Sequence, residues 1–360
     1  MNWALSIDKH TISDAKRVEE PERQLEDGEV RLRVDRFALT ANNVTYAAFG
    51  EVMRYWEFFP GSDGRGRLPV WGFADVADSR CEGVEPGERV YGYFPAASEL
   101  IVKPGRVRPD SFVDDAAHRA ELAAVYNRYV RCAADPSWSA DLEPAQMVLK
   151  PLFVTAFLLD VFLREDGADD ADTIILTSAS SKTAIALAAL LQASPMGKTR
   201  VLGLTSSGNA SFVDGLGLYD EVVLYDVIET LGQDRRYCIV DFAGNGEVNR
   251  RLHTRLETVL TANIRVGGAH WDNSAPVADL PGVKPQFFFA PDHAKARAQA
   301  WGPVAFEQRY ADAWSNFANR SNEMFEFREH PGADGALTVY NALVAGGFPA
   351  RYGETIRVAG

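Results

Sequence analysis

The segment Thr173–Ala193 constrains this chain more than any other. Its first five residues, Thr-Ile-Ile-Leu-Thr, form an apolar, β-branched run without polar alternation, as in a strand covered on both faces. Lys182–Ala193 (KTAIALAALLQA) then reads as an Ala/Leu helix with apolar residues on most faces, suited to packing on a sheet. A strand buried on both faces needs neighbours. Val201–Thr205, Glu221–Tyr225, Tyr237–Phe242 and Ile264–Gly268 supply them, joined by helical connections. The alternation predicts an α/β domain built on a parallel, doubly wound sheet.

The first third has a different character. Glu29–Phe37, Val70–Ala77 and Glu88–Phe94 alternate apolar and polar residues, with Gly83 and Pro86-Gly87 as turn formers between them. This predicts a compact β-rich unit. After the polar stretch Asp135–Pro144, the apolar segment Leu152–Leu163 predicts a helix, followed by the acidic loop Asp166–Asp172. The domains expected are 1–150, β-rich; 151–294, the doubly wound sheet; and 295–360, returning to the first and ending in a strand at Glu354–Val358. With 360 residues, 46% of them apolar, the chain buries a large core without covalent staples. Its three cysteines, Cys81, Cys132 and Cys238, are odd in number and widely spaced, which argues against a disulfide framework or a zinc ribbon. A net charge of −13 argues against coating a nucleic acid. Neither a secretory leader nor an 18-residue apolar run is read in the sequence, so a cytoplasmic protein with no membrane partner is expected.

The chemical signal lies where the buried strand meets its helix, at Thr177-Ser178-Ala179-Ser180-Ser181-Lys182-Thr183-Ala184. Backbone N–H groups and the helix dipole there favour an anion, and small side chains let a phosphate approach. As a P-loop the segment lacks both glycines, since Leu176 and Ser181 stand in their places. As a dinucleotide turn it lacks GxGxxG, and a polar turn with a surface lysine is the plain alternative. The next strand decides between them. It ends Thr205-Ser206-Ser207-Gly208-Asn209, with hydroxyls and an amide where an NAD site carries an acid. An acid would repel a 2′-phosphate, so NADP is expected over NAD.

The order of segments resembles the medium-chain dehydrogenase/reductase superfamily, in its zinc-free, quinone oxidoreductase-like branch, and most closely its DUF2855-type group. Gly83–Tyr91 is similar to that superfamily's "GV..f..GDrV", Leu216–Tyr225 to "lGAd.viny" and Val240–Gly244 to "v.D.vG". NNVTYAAFGEVMRYWEFFP, VWGFADV and SASSKTA carry the likeness to the DUF2855 type. The resemblance implies a Rossmann domain with a GroES-like substrate domain, and NADPH-dependent hydride transfer to an enone, quinone or related carbonyl compound. It implies cofactor contacts from Ser180, Ser181, Lys182, Thr183, Thr205, Ser206, Asn209 and Tyr225. Gly72-Phe73-Ala74 replaces the Gly-His-Glu of zinc-dependent relatives, so no metal is expected. Lys182 stands where the superfamily's turn has glycine, which leaves a remodelled, non-redox nucleotide-binding protein as the alternative.

Candidate catalytic groups follow. Tyr46 lies just after Asn42-Asn43, and its phenol can donate a proton or hydrogen bond, with Asn43 orienting substrate or ribose. His270 follows the fifth strand and suits a general acid. The aromatic run Tyr55–Phe59 suits a pocket wall for an apolar or conjugated small molecule. Phe287–Pro291 is read as closing that pocket, and Tyr126–Arg131 as a polar-aromatic helical stretch. A homo-oligomer is compatible with all of this.

Overall fold

The computed structural model describes residues 2–62, 64–168, 170–266 and 280–359. They form two compact units, the first from 1–148, 325–348 and 352–360 and the second from 149–324 and 349–351.

The first unit is β-rich. Its strands are β1 (Asn2–Asp8), β2 (Ala15–Glu20), β3 (Val30–Leu39), β4 (Arg65–Arg67), β5 (Pro69–Ser79), β6 (Arg89–Pro95), β7 (Glu99–Val102), β8 (Pro104–Gly105), β9 (Ser111–Asp114) and β10 (Arg128–Arg131), with β17 (Glu326–Pro331) and β18 (Tyr352–Arg357) from the far end of the sequence. The large sheet has the order β17-β18-β3-β5-β6-β10-β9-β8, with β7 also on β3, and a small sheet has the order β2-β1-β4. Alternation places Val30, Leu32 and Val34 inward, where they share a core with Leu5, Ile7, Val70 and Phe94. Tyr126–Arg131, expected to be helical, is a single 3₁₀ turn leading into β10. Pairing on both sides explains the difference: Arg128–Val130 pair with Ser111–Val113 of β9 and Val130–Arg131 with Val90–Tyr91 of β6, and Tyr129 is fully buried between them.

The chain enters the second unit within α2 (Glu143–Phe162). This helix begins earlier than its apolar stretch suggests, because Pro144 sits in the first turn, where a missing N–H costs nothing. By length and composition α2 could cross a membrane, but 67% of its apolar window is buried inside the protein, which accounts for its composition. Six parallel strands follow in the order β13-β12-β11-β14-β15-β16: β11 (Thr173–Thr177), β12 (Arg200–Thr205), β13 (Glu221–Leu224), β14 (Tyr237–Asp241), β15 (Leu260–Arg265) and β16 (Gln286–Phe287). The connecting helices are α3 (Lys182–Ala193), α4 (Ala210–Gly215) and α5 (Gly246–Leu256). Every residue of β11 is buried, as its unbroken apolar run requires.

Helices α6 (Ala290–Trp301), α7 (Pro303–Asn319) and α8 (Ser321–Met324) belong to the second unit, so the return to the first comes at Phe325 and not at 295. The cause is aromatic packing. Phe153 of α2 stacks on Phe317 at 5.1 Å and meets Trp314 edge-on at 5.4 Å, while Phe157 meets Tyr310 at 5.6 Å. The Phe287–Pro291 segment is the end of β16 and the start of α6, with Phe287 67% exposed.

Candidate functional site

In the second unit, sheet order reverses between β11 and β14, and ligands of doubly wound sheets bind over the carboxyl ends of strands at such a switch. The turn Ser178–Ser181 lies there. Ser178 adopts a left-handed backbone, φ 47°, which costs a non-glycine residue roughly 1–2 kcal/mol. Two hydrogen bonds hold it: Ser181 N donates to Ser178 O at 2.7 Å, and Ser178 N donates to the Tyr225 hydroxyl at 2.9 Å. Tyr225, just beyond β13, therefore reaches across to the turn after β11. Ser181 caps α3, its hydroxyl accepting from Ala184 N at 3.3 Å. Lys182 Nζ donates to the Ala350 carbonyl at 3.1 Å. Ser178, Ser180, Ser181, Lys182 and Thr183 all keep part of their surface open, whereas Ala179 is buried.

Gly203 on β12 lets this turn settle onto the sheet. A Cβ there would meet the Tyr219 ring at 2.9 Å and the Ala179 methyl at 3.1 Å. Tyr219 then fastens the turn by donating its hydroxyl proton to Ala179 O at 2.7 Å. Beside the turn, Thr205 is 1% exposed within β12, while Ser206 and Asn209 are partly open and hydrogen-bonded at 3.3 Å. No carboxylate ends this strand. The expected cofactor residues thus gather at the carboxyl ends of β11, β12 and β13, with Thr205 as their buried support. At the opposite, amino ends of the strands a cleft of about 240 Å³ is lined by Arg200, Asp220, Glu221 and Tyr237, on the wrong side of the sheet for a dinucleotide.

The other candidate group lies in the first unit. Thr40 and Asn43 form a capping box at the start of α1 (Ala41–Ala48). Asn43 Oδ1 accepts from Thr40 N at 2.7 Å, and Asn43 Nδ2 donates to Pro69 O at 2.9 Å. With both ends of its amide engaged and 4% exposure, Asn43 anchors α1 to β5 instead of orienting a ligand directly. Tyr46, one turn on, enters an aromatic cluster with Tyr55 at 4.5 Å and Tyr93 at 5.8 Å, completed by Phe58, Phe59, Trp71 and Tyr126. Burial, reinforced by the neighbouring Tyr55, pushes the Tyr46 phenol far above its usual range. It is therefore a hydrogen-bond donor at any working pH. Phe73 and Ala74 of β5 are fully buried. Among the described residues no group of three or more His, Cys, Asp or Glu side chains is placed to hold a metal ion. His270 lies outside the described residues.

Asp241, which enters the sequence reading only within the Val240–Gly244 likeness and with no role, is 1% exposed and accepts four hydrogen bonds at the end of β14. The signal for it is a lone acid inside the otherwise apolar run Tyr237–Phe242.

Comparison with known proteins gives a family and a fold. Residues 37–349 match the family described as "Protein of unknown function (DUF2855)". The chain belongs to the DUF2855 family. Among solved structures, this DUF2855 protein is similar to CurA of Vibrio vulnificus in complex with NADPH, at 13% identity and a TM-score of 0.64, covering 98% of this chain and 97% of that one. It is also similar to the yhdH oxidoreductase of Salmonella enterica in complex with NADP (15% identity, TM-score 0.56, 99% and 100% covered). A third is the quinone oxidoreductase of Coxiella burnetii (13%, 0.55, 99% and 100%). No curated protein matches the sequence. The likeness shows a common fold: the DUF2855 chain combines a Rossmann domain with a GroES-like domain, as medium-chain dehydrogenase/reductases do.

Proposed function

We propose that this protein is a zinc-independent, NADPH-dependent reductase of small conjugated carbonyl compounds, an enone or a quinone. The observation that carries the reading is the turn Ser178–Thr183 at the switch between β11 and β14, beside a strand end that offers Ser206 and Asn209 but no acid. The NADPH or NADP held by CurA and by the yhdH oxidoreductase supports it. The residues present fit such a cofactor. The small side chains of the turn admit a pyrophosphate, the start of α3 directs backbone N–H groups at it, and hydroxyl and amide groups suit a 2′-phosphate. Bound there, NADPH supplies a hydride. Tyr46 donates its phenolic hydrogen bond to the substrate carbonyl and keeps its proton, the proton that completes reduction comes from solvent, and Asn43 positions Tyr46 through α1. The buried Phe73 and Ala74, standing where zinc-dependent relatives carry ligands, support independence from zinc. A cytoplasmic location is part of the proposal, and the burial of α2 supports it.

Cofactor preference tests the reading. NADPH should bind at least about tenfold more tightly than NADH, a difference of about 1.4 kcal/mol. Titration followed by the fluorescence of the seven tryptophans measures both. Equal affinities, or a preference for NADH, refute it. Binding without turnover of any enone or quinone favours the non-redox alternative.

Lys182→Ala should weaken NADPH binding about tenfold to hundredfold, the range for a lost charge-assisted contact of roughly 1.5–3 kcal/mol. A cation at the first turn of α3 is locally unfavourable, so it needs an acceptor opposite. In this structure the Ala350 carbonyl is one such acceptor. A variant that melts lower but binds NADPH normally assigns Lys182 to that contact alone.

A further inference from the structure

The two strands that border the sheet's switch point are tied together by side chains. Thr177 Oγ1, at the end of β11, donates to Asp241 Oδ1, at the end of β14, across 2.8 Å. Asp241 Oδ1 also accepts from Ala243 N and Gly244 N, each at 3.1 Å, and Oδ2 accepts from Asn249 Nδ2 at 2.7 Å. From there the connections run outward. Asn263 Nδ2 on β15 donates to Asn249 Oδ1 at 3.1 Å and lies 2.7 Å from His253 Nε2, while His253 Nδ1 faces the Pro281 carbonyl at 2.9 Å. The partners fix the roles: Nδ1 carries the proton toward the carbonyl, Nε2 accepts from the amide, and the imidazole is neutral. Burial, which holds His253 below its ordinary pKa, acts in the same direction.

Thr177, Asp241, Asn249, His253 and Asn263 are each at most 7% exposed. Stability alone does not account for them. A buried carboxylate is often less stabilising than apolar packing of the same volume. Asn263 Oδ1, moreover, is buried without a hydrogen-bond partner among the described residues, a cost of roughly 1–3 kcal/mol that an apolar residue would avoid. What an apolar core cannot supply is direction, since each donor here has one place to point.

We propose that Thr177, Asp241, Asn249, Asn263 and His253 form a positioning relay that couples the dinucleotide crevice to the chain at Pro281. It rests on the nucleotide-binding reading above. Asp241 fixes the ends of β11 and β14 and the main chain at 243–244, which set the width of the crevice. Asn263 and His253 transmit that setting to Pro281 without touching the turn themselves.

Asn263→Ala tests the remote end by removing the whole buried amide, and Thr177→Val the near end by replacing one hydroxyl with a methyl group of similar size. By tryptophan fluorescence, the Kd for NADPH should rise at least about fivefold in Asn263→Ala and about tenfold in Thr177→Val, with the double variant no weaker than the worse single one. A merely structural role predicts a lower melting temperature with an unchanged Kd in Asn263→Ala, and that result overturns the relay. The second readout needs no cofactor. Amide hydrogen exchange across 178–184 in the unliganded protein should quicken about tenfold in Asn263→Ala. Unchanged exchange there also overturns the proposal. If the wild-type protein binds no NADPH, the nucleotide reading fails and the exchange measurement alone decides the relay.

Discussion

Replacing Tyr46 by phenylalanine should lower kcat for an enone or quinone about 100-fold, as loss of one donor to a developing oxyanion does, with the affinity for NADPH unchanged. The substitution removes one oxygen and keeps the ring that packs on Tyr55 and Tyr93, so the aromatic cluster should survive. Because burial keeps the phenol protonated, the wild-type rate should show no ionisation of Tyr46 across the neutral range. Steady-state kinetics and an NADPH titration on the same preparation check both halves. If kcat is unaltered, Tyr46 is only packing.

Arg89→Met should destabilise the first unit by roughly 3–5 kcal/mol, the range for stranding one member of a buried ionic network. Arg89 grips Glu143 with two hydrogen bonds of 2.6 and 2.7 Å, and reaches Asp35 at 2.8 Å and Asp75 at 3.0 Å. The Glu143 side chain is 2% exposed, so water cannot replace what it loses, although Arg36 remains at 3.5 Å. The sign with pH follows from Asp35. Burial acts to raise its carboxyl, but the hydrogen bond and charge of Arg89, with Arg36 and Arg357, bring it below its ordinary 3.8. A depressed carboxyl stabilises the fold fully above about pH 4 and loses that contribution as pH falls through its folded value. Wild-type stability should therefore drop in that acid window, and Arg89→Met, in which Asp35 keeps only Arg36 and Arg357, should drop less. Urea denaturation at several pH values measures this. Equal midpoints for the two proteins at pH 7 would show the network to be energetically idle.

The second unit was the more legible half. β11 and α3 fall at Thr173–Thr177 and Lys182–Ala193, as their residues suggest, because a strand buried on both faces leaves one reading of its apolar run. The first unit was harder. β1 and β2 were not anticipated, and Arg128–Arg131 looked helical, since a four-residue strand with arginine at each end shows too little alternation. The return expected at 295 falls inside α6 and leaves α7 with the first unit, because an aromatic face does not name its partner; in the structure Phe153 and Phe157 do. At the site, residue types near the turn could be read from sequence, but not that both ends of the Asn43 amide are occupied, nor that Asp241 gathers four donors from β11, α5 and the adjoining turn.

The course of the backbone has a consequence for synthesis. β18 lies between β17, which it joins in parallel, and β3, which it joins antiparallel. When residues 1–148 have left the ribosome, β7 covers Val30–Arg33 on that side of β3 but Arg36–Leu39 have no strand beside them, and the second unit, 149–324, must be made before β17 and β18 can emerge. The half that starts first therefore finishes last, waiting with an open strand edge of the kind that invites association with other chains. The continuous second unit has no such wait.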